Sequence, residues 1–272
     1  MLKTKVFQEI LAIKMGRTIF GKLLYPVHAF YFDGVLIDTG CWHCRFEFSS
    51  FLKELNIDKV ILTHAHEDHF GNVWAAEKWQ IPVYVDEKGL PFLREPRRLK
   101  MELYRKITWG EPAKAKALPL PQLVETQHFT LEVIKTPGHS PDHVCFYEPE
   151  NGYLFSGDLY LGERQNLLMD TENFWEIRNS LKKVLALNPK ILFCGLNGYV
   201  PGASEKLRAK LNYWDDLADR VLDLADKGLS LREIDQVMFK KKHVISIVSG
   251  GSFSSLNLVR SIIRDRKDGE EI

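Results

Sequence analysis

Seven consecutive residues, Thr63-His64-Ala65-His66-Glu67-Asp68-His69, gather three imidazoles and two carboxylates into one polar stretch. The apolar run 59–62 just before them has β character, so the cluster sits where a strand ends. Imidazole nitrogen and carboxylate oxygen suit zinc and similar divalent ions. In an extended turn His64 and His66, being alternate residues, point to one side, while Asp68 and His69 address a second point nearby. A loop rarely gathers so many ligand-type side chains merely to solvate them. One loop does not complete a coordination sphere, however, and two later segments offer what it lacks. These are Thr136-Pro137-Gly138-His139-Ser140-Pro141-Asp142-His143 and Ser156-Gly157-Asp158, the latter following a further apolar strand.

Across the first two hundred residues, strand patterns alternate with amphipathic helical ones, as expected of an α/β or mixed layered domain. The N-terminal residues 1–16 alternate like a strand. Residues 28–32 and 35–38 read as a hairpin, with Asp33-Gly34 as its tight turn. Helical patterns cover 46–55, 70–79 and 173–187. Strands are expected at 83–85, 129–136, 144–147, 153–155 and 190–194. The charged, proline-punctuated stretch 86–120 reads as an insertion able to shape a substrate pocket. After Pro201-Gly202 the pattern turns helical, over 204–227, 230–239 and 254–264. The expected division is therefore a catalytic domain over 1–202 and a helical appendage over 203–272.

The string H-x-H-x-D-H at 64–69, the later TPGHSPDH, the Ser-Gly-Asp at 156–158 and the early Leu36-Ile37-Asp38-Thr39-Gly40, in that order, resemble the metallo-beta-lactamase fold superfamily. The resemblance covers roughly residues 5–200. It implies an αββα four-layer sandwich with the metal site along one edge, between strand ends. It also implies that His64, His66 and His139 hold a first ion, and that Asp158 bridges to a second held by Asp68 and His69. Asp38 would support them from behind, and Asp68 would be the catalytic residue, orienting the attacking water. The family usually supplies a final histidine in a Gly-His-Gly-like turn after a late strand. Here Cys194-Gly195-Leu196-Asn197-Gly198 presents Asn197, a poorer ligand, so a weak or empty second site is expected unless another group such as His243 completes it.

The resemblance implies a hydrolase carrying one or two zinc ions, with iron or manganese as alternatives, and acting on an ester, thioester or lactone of a small molecule. A metal-dependent ribonuclease or phosphodiesterase is one alternative, and a mono-iron enzyme like the persulfide dioxygenases is another. The Gly-Leu-Ser-Leu-Arg-Glu-Ile segment at 228–234 loosely resembles appendages on superfamily hydrolases, some of them ribonucleases.

Composition narrows the partners. A hydrophobic fraction of 45% and a charged fraction of 27% over 272 residues are ordinary for a globular protein. No apolar run approaches the roughly 20 residues that span a bilayer. The N-terminus lacks the features of a signal peptide, so a cytoplasmic location is the expectation. A formal net charge of +1 gives no general drive toward nucleic acid, which is not favoured as a partner, or toward anionic membrane. Assembly into a homo-oligomer is left open. The basic runs 94–100 and 240–243 read as solvated faces. Cys41-Trp42-His43-Cys44 has CxxC spacing without thioredoxin surroundings, and is expected to pack beside the pocket. His143 is expected to support the site, and His28 and His128 to make ordinary hydrogen bonds.

Overall fold

The computed structural model describes residues 1–240 and 243–264; Lys241 and Lys242 of the 240–243 basic run lie outside the described residues. The chain divides into two compact units. The first comprises Met1–Lys135, Asp142–Asp158 and Pro189–Ala203; the second comprises Thr136–Pro141, Leu159–Asn188 and the described residues from Ser204 onward.

The first unit is built on two large mixed sheets. One takes its strands in chain order: β1 (Leu2–Phe7), β2 (Ile10–Ile19), β3 (Lys22–Phe32), β4 (Val35–Ile37), β5 (Lys59–Ile61), β6 (Val83–Val85) and β7 (Leu118–Pro119). It is antiparallel through β4 and parallel from β4 to β7. The other contains β8 (Leu123–Glu125), β9 (Thr130–Lys135), β10 (Val144–Glu148), β11 (Tyr153–Gly157), β13 (Ile191–Cys194) and β14 (Gly198–Pro201), with β11 and β13 parallel.

Period-2 alternation sends neighbouring residues of the first sheet to opposite faces. Phe30, Phe32, Val35, Ile37 and Ile61 meet Val144, Phe146, Phe155 and Phe193 of the second sheet in one apolar core. Val27, Ala29, Leu36, Val60 and Leu62 instead face Phe48 and Leu52, Val73 and Ala76, and Leu93. Those partners lie on or beside three short helices, α1 (Arg45–Phe51), α2 (Val73–Lys78) and α3 (Leu90–Arg94). Phe155 stacks 4.9 Å from Phe193 and 5.3 Å from Phe32, and it is almost wholly buried. Phe155→Ala is expected to cost about 3–5 kcal/mol, measured as a lower urea midpoint with an unchanged slope.

The hairpin at Asp33-Gly34 forms as its sequence predicts, with φ of 44° and 79° at the two turn residues. Three local expectations shift. The single N-terminal strand becomes a hairpin that turns at Gln8, φ 56°, without the Asn-Gly or Asp-Gly signal that marks such turns. The helix expected from residue 70 starts at Val73, because Phe70 is bridged to Gly40 beside the histidine loop. Residues 198–201, for which no element was expected, form β14 against β13. Inside the 86–120 stretch, α3 is followed by α4 (Leu103–Thr108).

The second unit contains α5 (Phe174–Ala186), the greater part of α6 (Ala203–Asp226), α7 (Leu231–Met238), α8 (Val244–Val248) and α9 (Ser255–Arg264), with a small ladder between β12 (Leu168–Met169) and β15 (Phe253–Ser254). The Asn173 side chain caps α5 by accepting from the backbone N–H groups of Trp175 and Glu176. Ser230 and Glu233 close a capping box at the start of α7. Phe174 stacks 4.6 Å from Trp214, and Trp175 Nε1 donates to the Ile262 carbonyl, which ties α5 to α6 and α9. Among the described residues, no helix is long and apolar enough to cross a membrane.

Candidate metal centre

Strand ends of the first unit deliver the ligand-type side chains. β4 ends at Ile37 and hands Asp38 to the site in a left-handed conformation, φ 60°, an uncommon geometry for a residue with a side chain. Its buried carboxylate accepts from Thr63 N at 2.8 Å and Thr63 Oγ1 at 2.8 Å, and it lies 2.7 Å from His69 Nδ1. β5 ends at Ile61, and the 63–69 loop turns directly after it, with the His69 and Phe70 N–H groups donating to the His66 carbonyl. The loop is pinned from outside: Ala65 N donates to Asp142 Oδ2 at 2.7 Å, and the Thr39 backbone and hydroxyl both donate to the His69 carbonyl. β11 ends at Gly157, φ 47°, and presents Asp158, whose N–H donates to His143 Nε2 at 3.2 Å.

These contacts bring the side chains together around His64. Its Nε2 lies 3.1 Å from His66 Nδ1, and its ring centroid is 4.1 Å from that of His69. His64, His69 and Asp158 each offer a ligand atom, all within 4.8 Å of one another, and all three residues are buried. His69 Nε2 stands 3.3 Å from Asp158 Oδ1 and 3.8 Å from Asp68 Oδ2, yet among the described residues it makes no well-aligned hydrogen bond. A buried imidazole nitrogen facing two carboxylates while its other nitrogen is held by Asp38 is the arrangement a divalent cation fits. Gly195, after β13, makes room: a Cβ there would fall 2.5 Å from Asp158 Oδ1 and 2.9 Å from His69 Cε1.

The electrostatics reflect crowded negative charge. Burial, reinforced by Glu67 and Asp158, pushes the Asp68 carboxyl up to about 7, with His69 and Arg105 opposing. Burial works against a charged His69, but Asp38, Asp158 and Asp68 outweigh it and raise the imidazole well above its usual range.

His139 belongs to the second unit. It follows Gly138, whose φ of 123° and close approach to the Ile177 backbone leave no room for a Cβ. His139 Nδ1 lies 2.5 Å from Glu172 Oε1, and Glu172 Oε2 accepts from Met169 N. A carboxylate on Nδ1 fixes the ring and leaves Nε2 as the coordinating atom. Sequence reasoning missed Glu172, since a lone glutamate before a helix carries no motif. It also missed Arg105, which pairs with Glu67 from 38 residues away.

Asn197 is exposed, with its backbone N–H and Nδ2 directed at Cys194 Sγ at 3.4 and 3.7 Å. His243 precedes α8, in the second unit. Cys41 and Cys44 are buried thiols, Cys41 preceding and Cys44 ending a single 3-10 turn, with the Cys44 N–H bonded to the Cys41 carbonyl. His28 Nδ1 lies 3.0 Å from the Gly195 carbonyl, and His128 pairs with Asp33.

Asp38→Asn keeps the shape at His69 Nδ1 and removes the charge. The expected result is a loss of roughly 10- to 100-fold in metal affinity, read by competition with a chromophoric chelator.

Comparison with known proteins agrees with this geometry. The sequence profile described as Metallo-beta-lactamase superfamily matches residues 27–196. The chain is 28% identical over 198 residues to the Beta-lactamase-like protein 2 homolog of Drosophila melanogaster, covering 70% of this chain and 63% of that one. It is 28% identical over 184 residues to the Atrochrysone carboxyl ACP thioesterase of Aspergillus fumigatus, covering 66% and 52% respectively. The chain thus spans less than two thirds of either relative's length. Among solved structures, a metallo-beta-lactamase family protein from Thermus thermophilus superposes with a TM-score of 0.71 at 20% identity, covering 96% of this chain and 95% of that one.

Proposed function

The chain belongs to the metallo-beta-lactamase superfamily, and from that premise we propose that it hydrolyses an ester, thioester or lactone bond of a small molecule at a zinc-type centre formed by His64, His66, Asp68, His69 and Asp158, with His139 as the further ligand that the family motif implies. The observation that carries this reading is His69 Nε2, buried against Asp158 and Asp68 with Asp38 locked on its far side. A divalent ion bound there would make hydroxide available at neutral pH, because such an ion lowers the pKa of bound water from about 15.7 to about 7.

The protein's own groups do the remaining work. Asp38 and Glu172 fix the rings of His69 and His139 in the tautomers that leave Nε2 available. Asp68 orients the attacking water and passes a proton to the leaving group. Burial of His64, His69 and Glu67 excludes bulk water and strengthens each charge interaction. The likeness to the Aspergillus fumigatus thioesterase supports placing thioesters first among the candidate substrates.

A panel of p-nitrophenyl esters, acyl thioesters, lactones and bis(p-nitrophenyl) phosphate tests this. Cleavage of an ester, thioester or lactone is expected, lost on chelation and restored by zinc. Turnover of the phosphodiester alone would replace this reading by a nuclease-type activity. One observation favours a second reading: the exposed Asn197, with its amide turned to Cys194, supports a single-ion centre. Copurifying iron with oxygen consumption on a persulfide would select that dioxygenase-like chemistry.

A further inference from the structure

Glu67 stands between His66 and Asp68, and its side chain is fully buried. An unpaired carboxylate there would be strongly disfavoured. Its partner comes from α4 in the 86–120 stretch. Arg105 Nε donates to Glu67 Oε1 at 2.7 Å and Nη2 to Oε2 at 2.5 Å, while Nη1 lies 3.7 Å from Glu102 Oε2. Arg105 itself is only 8% exposed. Two parallel bonds from a planar fork fix the carboxylate's direction as well as its charge, which a lysine does not reproduce.

The placement of this fork matters more than its strength. The Glu67 backbone joins directly to those of His66 and Asp68, so any rotation of Glu67 swings an imidazole on one side and a carboxylate on the other. The loop has further fixed points at Ala65, bonded to Asp142, and at His69, bonded to Thr39. Between them, Glu67 is held through its side chain by the fork. The fork also sets a cation within electrostatic reach of the buried Asp68 carboxylate.

We propose that Arg105 is a positioning residue for the metal centre: through Glu67 it holds the 64–69 loop in the conformation in which His66 and Asp68 meet the ion, so its loss weakens metal retention although no ligand is removed. This rests on reading that loop as a metal centre. It makes α4, outside the matched histidine motifs, part of what sets the affinity of the site.

The test is zinc(II) affinity, measured by competition with a chromophoric chelator on wild type, Arg105→Met, Arg105→Lys and Glu67→Gln. Melting curves in excess chelator report folding of the metal-free protein, and cobalt(II) absorption reports coordination geometry. The expected result is zinc binding weakened roughly 10- to 100-fold in Arg105→Met and Glu67→Gln. Arg105→Lys should recover part of that loss, because it restores charge without the fork, and the cobalt(II) spectrum should change in Arg105→Met. Should Arg105→Met not fold, the double variant Glu67→Met with Arg105→Met removes both charges and leaves no orphan. That double variant should fold and still bind zinc weakly. Folded variants that match wild-type zinc affinity within twofold, with an unchanged cobalt(II) spectrum, would reduce the pair to a fold-stabilising contact and overturn the proposal. A folded wild type that binds no zinc would instead overturn the metal reading beneath it.

Discussion

Asp68→Ala is expected to lower kcat on the true substrate by roughly 10²- to 10⁴-fold, the range associated with losing a positioned proton-transfer group. Asp68 is 6% exposed, its Oδ2 is 3.8 Å from His69 Nε2, and its loop is fixed at Ala65, Glu67 and His69. Alanine removes the only part of the side chain that can orient water, and leaves His64, His66 and Asp158 in place. An ion should therefore still bind, and the loss should fall on kcat more than on KM. Asp68→Asn should be nearly as inactive, since an amide occupies the same space without accepting the proton. An unchanged kcat in either variant would remove the role assigned to this residue.

His64→Ala is expected to have the larger effect on the ion itself. Its Nε2 is 3.1 Å from His66 Nδ1, its Nδ1 is 3.1 Å from Thr63 Oγ1, and its ring lies against those of His69 and His143. Removing it takes a ligand from the middle of the cluster and opens a space among the remaining imidazoles. Zinc affinity should fall by more than the roughly 100-fold at the upper end for a supporting residue, and turnover should approach the chemical background. Elemental analysis after dialysis together with the rate at saturating zinc would check this. Retention of stoichiometric zinc by His64→Ala would contradict the placement of the ion.

The sandwich and the ligand loop were legible because their signals are local. Alternation in 28–32 and 35–38 names the face of each strand, and Asp33-Gly34 names the turn between them. The histidine spacing at 64–69 is itself the motif, and the segments around His139 and Asp158 carry small residues where the chain turns tightly. The N-terminal hairpin was not legible, because Gln8 adopts a positive φ without being glycine or asparagine. The supporting carboxylates divided by the same criterion. Asp38 sits in a recognisable Leu-Ile-Asp-Thr-Gly string, whereas Glu172 reaches His139 from 33 residues away and Arg105 reaches Glu67 from 38. Pairings of that kind follow from tertiary structure, and neither periodicity nor spacing encodes them. Asn197 shows the converse: its place in the motif order made it a ligand candidate, while the Cys194 sulfur beside it takes up its donors.

Central to the proposed function is that the buried imidazoles and carboxylates around His64 and His69 hold a transition ion. Elemental analysis of the dialysed wild-type protein, coupled to melting with and without chelator, measures this directly. The prediction is close to one tightly held equivalent of a zinc-class ion, with any second held more weakly, and a melting temperature that drops on chelation and recovers on zinc addition. A fully folded protein that carries no such ion, gains none from added zinc, manganese or iron, and melts identically with and without chelator would contradict it.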